Sequence, residues 1–199
     1  MKLSKGWIVA IVIVIILLLL VSWGTGIYNK LVTKEETVNQ QWANVENVYQ
    51  RRADLIPNLV ATVKGVANFE KSTLTAVIEA RAKATSVSIN PKNLDEASMQ
   101  RFQQAQDGLS SSLARLMVVV ERYPELKATQ NFMELQAQLE GTENRIAVER
   151  MKFNEVAQVY NAYLRQFPAV IFAGIYGFQK KAYFLAQKGA EKAPEVKFE

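Results

Sequence analysis

Between Trp7 and Trp23 the chain reads WIVAIVIVIILLLLVSW, and no charge interrupts it from Gly6 to Asn29, where Lys5 and Lys30 close the window. About 20 apolar residues, each rising about 1.5 Å, cross a hydrocarbon core of roughly 30 Å, so this stretch predicts a membrane-spanning helix. Indole rings settle at headgroup level and long cations reach the phosphates beyond, as these flanks would allow. After the span the pattern turns from uniform to periodic. Apolar residues at Val38, Trp42, Val45, Tyr49, Ile56, Leu59, Val63 and Val66 advance in steps of three and four, and Arg52 fills the one skipped position. That spacing describes one face of an amphipathic helix. Pro57 falls in this seam without shifting its phase, which favours a kinked continuous helix. The competing reading caps a new helix with Asp54 and puts Pro57 in its first turn. The helical pattern continues through Leu74, Val77 and Ile78 to about Ala84.

Residues 85–93, TSVSINPKN, lose the period and read as a loop. A helix is expected from Leu94 to Arg122, with Phe102, Leu109, Leu116 and Tyr123 at heptad spacing, Ala105, Leu113 and Val120 between them, and Tyr123-Pro124 as its end. The longest amphipathic segment runs from Asn131 to Phe167. Phe132, Leu139, Ile146, Phe153, Tyr160 and Phe167 recur along it at heptad spacing, interleaved with Leu135, Thr142, Glu149, Val156 and Tyr163. Such a seam seeks antiparallel neighbours. Asn131 with Glu134 marks its start and Pro168 its stop. The sequence carries no strand pattern and no solenoid repeat. The expected fold is all-α: an N-terminal single-pass transmembrane helix followed by an antiparallel helical bundle with long helices. The anchor takes residues 1–29, the bundle 30–186, and a loosely held tail 187–199.

Residues 167–184, FPAVIFAGIYGFQKKAYF, differ in character, being dense in aromatics, with Gly174 and Gly177 expected to break any helix. One reading folds this segment back over the bundle seam as a cover. The other makes it a membrane-interface segment in which Phe167, Ile171, Phe172, Ile175, Tyr176, Phe178, Tyr183 and Phe184 enter the headgroup zone while Lys180 and Lys181 meet anionic lipid.

Charge changes this picture little. The formal net charge is +5, but Lys2, Lys5 and Lys30 flank the span, and the other Lys and Arg residues nearly balance the 19 Asp and Glu. The bundle therefore shows no polyanion-binding signal, and no nucleic-acid partner is expected. Cysteine and histidine are both absent, which removes thiolate metal sites, disulfides, the commonest general base and the commonest transition-metal ligand. No cofactor or metal is expected. The apolar run is longer than a cleavable signal core of about 7 to 15 residues, and Ser22-Trp23-Gly24 is too bulky for an Ala-x-Ala site, so the span reads as an uncleaved signal anchor. The flanking lysines tie. The very short N-terminal flank and its free amino group favour an inner-membrane orientation with the bulk of the domain extracytoplasmic.

Arg52 and Glu149 both occupy core positions of their seams, and Arg51, Asp54, Glu143, Arg145 and Arg150 lie within a turn of one or the other. A charge facing a core needs a partner, so an interhelical ion-pair layer is expected there, fixing register and helix order. A ligand-binding or catalytic role is the alternative. Glu35 and Glu36, like Asp95 and Glu96, read as solvated first-turn residues rather than as an acid–base pair. The run Ser110–Ser112 lacks a base, since Lys127 has no supporting spacing. No Walker or dinucleotide loop is present, and a di-iron Glu-x-x-His site needs histidine.

The segments YNKLVTKEETVNQQWANVENVYQRRADLIPNLVATVKGVANFEKSTLTAVIEARAKATSV (28–87) and LARLMVVVERYPELKATQNFMELQAQLEGTENRIAVERMKFNEVAQVYNAYLRQFP (113–168), with GFQKKAYF in the tail, resemble the LemA family. QRRADLIPNLV and LQAQLEGTENRI carry most of that resemblance. It implies a bacterial single-pass membrane protein with a helical bundle and no established catalytic residues. Some members place the short N-terminus outside, against the reading above. Where many relatives have Tyr-Ala-x-His-Glu this chain has Val66, Ala67, Asn68, Phe69 and Glu70, and it lacks the lipidated cysteine many of them carry. Taken together, the residues favour a non-enzymatic scaffold or adaptor binding other envelope proteins, with a homo-oligomer among the options. A lipid-binding or membrane-shaping protein acting through 167–184 is the first alternative, and a carboxylate hydrolase built on the Arg52 and Glu149 layer is the second.

Overall fold

The computed structural model describes residues 5–65 and 69–186; Lys2, Val66, Ala67, Asn68 and the tail at 187–199 lie outside them. Its spine is α1, Lys5–Lys64, a single helix of 60 residues that carries the apolar span at one end and the bundle seam at the other. At a rise of about 1.5 Å per residue it extends about 90 Å. The bundle covers none of the most apolar window, and side chains from Trp7 to Trp23 stand exposed, a surface suited to lipid. This end of α1 is the membrane anchor. Beyond it Val38, Trp42, Val45, Tyr49, Ile56, Leu59 and Val63 all face inward, as their spacing predicts, and Leu31, ahead of the predicted series, is buried with them.

α1 runs through Pro57 without ending. Proline has no N–H to offer the carbonyl of Ala53 one turn back, and Arg81 Nε supplies a donor there at 2.7 Å. The helix does not continue to Ala84, however. It stops at Lys64, and α2 (Lys71–Ser86) is a separate helix that runs back along α1 and so brings Arg81 to Ala53. Leu74 and Val77 keep the spacing of the α1 seam, so periodicity alone does not reveal the break at Gly65.

After a short 3-10 turn at Pro91–Asn93, α3 (Glu96–Val120) starts at Asp95, whose carboxylate accepts the Ser98 N–H at 2.8 Å. It lies antiparallel to α2: Gln106 reaches the Ala84 carbonyl near one end, and Arg122 pairs with Glu70 at the other. One turn of helix, α4 (Pro124–Lys127), leads to α5 (Gln130–Leu164). Thr129, rather than Asn131, caps α5 by accepting the Phe132 N–H. α5 is antiparallel to α1, since Lys34 sits over the Tyr163 ring while Arg52 meets Glu143 farther along. α6 (Ala169–Tyr176) follows a cis Phe167–Pro168 peptide.

The core is layered along α1. Nearest the membrane, Ile27 and Leu31 pack on Ala169 and Ala173 of α6. A middle layer is aromatic, with Trp42 and Phe184 in ring contact with each other and with both Phe102 and Phe153. The distal layer gathers Leu59, Val63, Val77, Leu116, Phe132 and Leu139. Phe167, the last member of the α5 heptad series, is 80% exposed because α5 ends at Leu164, before the seam reaches it. Gly174 sits inside α6 and breaks nothing. Gly177 ends the helix at φ 75, a left-handed conformation cheap for glycine.

Candidate functional site

The polar layer forms between the middle and distal clusters. Arg52 is 2% exposed, and its Nη1 donates to Glu143 Oε2 and to Ser110 Oγ, both at 2.8 Å. Nη2 donates to Gln106 Oε1 at 2.6 Å, and the Tyr49 ring lies 5.1 Å from the guanidinium carbon. One buried cation thus ties α1 to both α3 and α5 through acceptors that replace the hydration of its two Nη groups, while its Nε is buried without a hydrogen-bond partner. The other expected members stay out. Glu149 bonds Lys152 at 2.8 Å and Gln41 at 2.6 Å, and these hydrogen bonds hold its carboxyl below the usual carboxylate range. Arg150 lies over the Phe184 ring and donates to the Leu185 carbonyl. Asp54 accepts from Gln50 on the surface of α1, and Arg51 and Arg145 are exposed. An α-helix drifts about 20° per heptad from a strict seven-residue repeat, so along α5 the seam passes from Glu149 to Ala157 and Asn161.

The layer's charges face each other rather than a cavity. A shallow indentation beside it is bounded by Glu46, Tyr49, Thr85, Phe102 and Gln106, without Glu143 or Glu149. Burial pushes the Glu46 carboxyl above its ordinary value, and Trp42 draws it part of the way back. Ser110 is engaged by Arg52, and Ser112 donates to the Gly108 carbonyl. Among the described residues no three carboxylates converge as a cation site requires.

The segment after Gly177 is a strap, extended across α3 and α5, and its backbone is met by side-chain amides. Asn161 bonds both the N–H and the C=O of Lys181, at 2.9 and 2.8 Å. Asn154 does the same for Phe184, and Gln103 bonds the N–H and C=O of Leu185. Each amide offers a donor and an acceptor side by side, so it satisfies an extended peptide as a neighbouring strand would. Lys181 is 1% exposed; its Nζ pairs with Glu35 Oε1 at 2.8 Å and donates to the Pro91 and Lys92 carbonyls. Glu35 is therefore a latch rather than a solvated first-turn acid. Lys181 and Phe184, expected in one reading at the membrane, are buried here because Glu35 of α1 and the 3-10 turn supply partners for the ammonium, and Trp42, Phe102 and Phe153 surround the ring. Lys180 is exposed and Tyr183 half-buried. Asn154, Asn161 and Gln103 escaped the sequence reading because amides on a helix face look like surface.

The rest of the aromatic segment meets the anchor. Phe172 packs edge-on to Trp23 at 6.3 Å and lies against Gly24, where a Cβ would come within 3.0 Å of its ring. Tyr28 packs at a tilt against Tyr176 at 4.8 Å and edge-on to Phe178 at 5.9 Å. Phe167, Ile171 and Ile175 turn away from the protein, and Tyr176 keeps one side exposed beyond its contact with Tyr28.

The LemA family model matches residues 41–198, which takes in the polar layer, α6 and the strap. Magnetosome proteins MamQ 1 and MamQ 2 of Paramagnetospirillum magneticum are each 28% identical over 187 residues, covering 85% of this chain and 68% of theirs. Protein LemA of Metamycoplasma hominis is 20% identical over 142 residues, covering 71% of this chain and 61% of its own.

Proposed function

We propose, from the premise that the chain belongs to the LemA family, a membrane-anchored scaffold or adaptor of the bacterial envelope. It is non-enzymatic, extracytoplasmic in its bulk, and recruits other envelope proteins or further copies of itself. The observation that carries this reading is the continuity of α1. One helix is both the span and the central member of the bundle, so the bundle's height and attitude above the bilayer are set by the anchor rather than by a linker. A body held in this way presents the outer face of α5, with Val148, Met151 and Val159 exposed, at a fixed distance from the membrane. The buried Arg52 layer supports the same reading, because its groups are matched for packing and register.

Photo-crosslinkers placed at Met151 and Val159 in intact cells test it. Reproducible capture of the same envelope protein, or of a second copy, is the expected result; monomer alone from both positions would contradict it. The alternative, lipid binding or membrane shaping through 167–184, retains only the part of that segment that the strap leaves free, residues 167–176.

A further inference from the structure

We infer that α6 and the residue pair before it, 167–176, lie in the interfacial zone of the bilayer and bind phospholipid there as a second membrane contact beside the span. The inference rests on the anchoring of α1 and is independent of the scaffold reading. α6 has two faces. Ala169 and Ala173, one turn apart, are buried against Ile27 and Leu31 of α1, and their small side chains let the helices approach. The opposite face carries Ile171 and Ile175, 51% and 69% exposed, continued by Phe167. An apolar face turned away from the core on an otherwise well-buried domain needs something to cover it.

Depth identifies the cover. Trp23 closes the most apolar run, Tyr28 follows, and Lys30 is the first charge beyond. From Trp23 to Tyr28 the helix rises about 7.5 Å, roughly the thickness over which aromatic rings populate a membrane interface. Phe172 contacts the first of these rings and Tyr176 the second, so α6 lies within that layer. The groove between the two helices extends down to Leu17 and Leu20, inside the span itself. A surface continuous with the hydrocarbon-facing side of the anchor is covered by the hydrocarbon and headgroups that cover the anchor. Charge agrees with this placement. Arg165 precedes the segment, Lys180 follows it, both are exposed, and no carboxylate occurs in the sequence from Arg165 to Lys180, although Glu96 of α3 comes within 3.9 Å of the Lys180 ammonium. An apolar face between cations is the composition of helices that lie in the headgroup plane.

The chain has no cysteine, so a single introduced thiol is unique. Full-length Ile175→Cys and, separately, Ile171→Cys carry an environment-sensitive fluorophore in vesicles of phosphatidylethanolamine and phosphatidylglycerol. Glu140→Cys, exposed at the distal end of α5, is the aqueous reference. Both test side chains are left uncovered by the fold, and circular dichroism checks that it is kept. Lipids bearing a nitroxide near the headgroup should quench both α6 positions several-fold more than Glu140→Cys, and aqueous iodide should show the reverse order. Iodide access equal to that of the reference overturns the inference. So does protection from both quenchers, which would place protein on this face.

Discussion

Arg81 on α2 donates its Nε hydrogen to the carbonyl oxygen of Ala53 on α1 at 2.7 Å, the carbonyl that Pro57 leaves without a helical donor. The proline and the arginine are therefore one device. Hydrogen bonds to charged groups contribute about 1.5 to 3 kcal/mol, so Arg81→Met should lower unfolding free energy in detergent by about that amount. In a Pro57→Ala background the restored N–H closes the helical bond, and the same substitution should cost markedly less. Equal costs in the two backgrounds would show that the two residues are not coupled.

Replacing Gln106 with leucine removes the 2.6 Å acceptor from a guanidinium that is 2% exposed. Leaving a buried donor without its acceptor costs about 1 to 3 kcal/mol, more when the donor is charged, and Gln106→Leu should cost about 3 kcal/mol. Glu143→Gln should cost less, because the Glu143 side chain is 53% exposed and water can replace its charge. Arg52→Met removes the need for both partners and should be milder than Gln106→Leu. Chemical denaturation of the three variants gives the order; Arg52→Met as the most damaging would contradict this account of the layer.

Much of this arrangement is legible in the residues, and what is not has definite causes. The inward face of α1 from Val38 to Val63 follows from spacing alone, as do Phe132, Leu139, Ile146, Phe153 and Tyr160 on α5. Arg52 stands out because a charge interrupts an apolar series. Its partners Gln106 and Ser110 do not, since a glutamine or serine on a helix is ordinary until another helix brings an arginine to it. The reversal after Lys64 is hidden because α1 and α2 share a phase, and the division of the aromatic tail is hidden because α6 and the strap are both rich in aromatic and apolar residues. The amides of Asn154, Asn161 and Gln103, the Glu35 carboxylate and the aromatic layer around Phe184 are what set the protein-bound strap apart from α6.

The strap should open when its amide ladder is cut. Asn161→Ala removes both hydrogen bonds to Lys181, each contributing about 0.5 to 1.5 kcal/mol, and leaves buried backbone groups unpaired. Phe184→Ala empties an aromatic site, at about 3 to 5 kcal/mol. Trypsin should then cleave after Lys181 in both variants far faster than in the parent, where that side chain is 1% exposed. Unchanged cleavage in Asn161→Ala would show that the amide does not hold the strap.

Asp95 gives the bundle an acid-sensitive cap. The Ser98 backbone N–H holds its carboxyl below the ordinary value of 3.8. A lowered folded-state value means that the contribution is complete above the ordinary value and fades as pH falls through the lower one, because the unfolded chain takes up the proton first. Asp95→Asn keeps a capping acceptor but does not titrate. The parent's stability advantage over this variant, read from denaturation midpoints, should shrink below about pH 4. An advantage that grows on acidification would reverse the sign argued here.

The account depends most on α1 being one rigid member from bilayer to bundle. Spin labels at Lys30→Cys and Ala61→Cys, both exposed, would be measured by pulsed dipolar spectroscopy in lipid nanodiscs. At about 1.5 Å per residue a continuous helix predicts a single narrow distance near about 46 Å. A broad distribution, or a centre well below that value, would mean that the bundle swings on its anchor, and a scaffold of fixed height would not survive it.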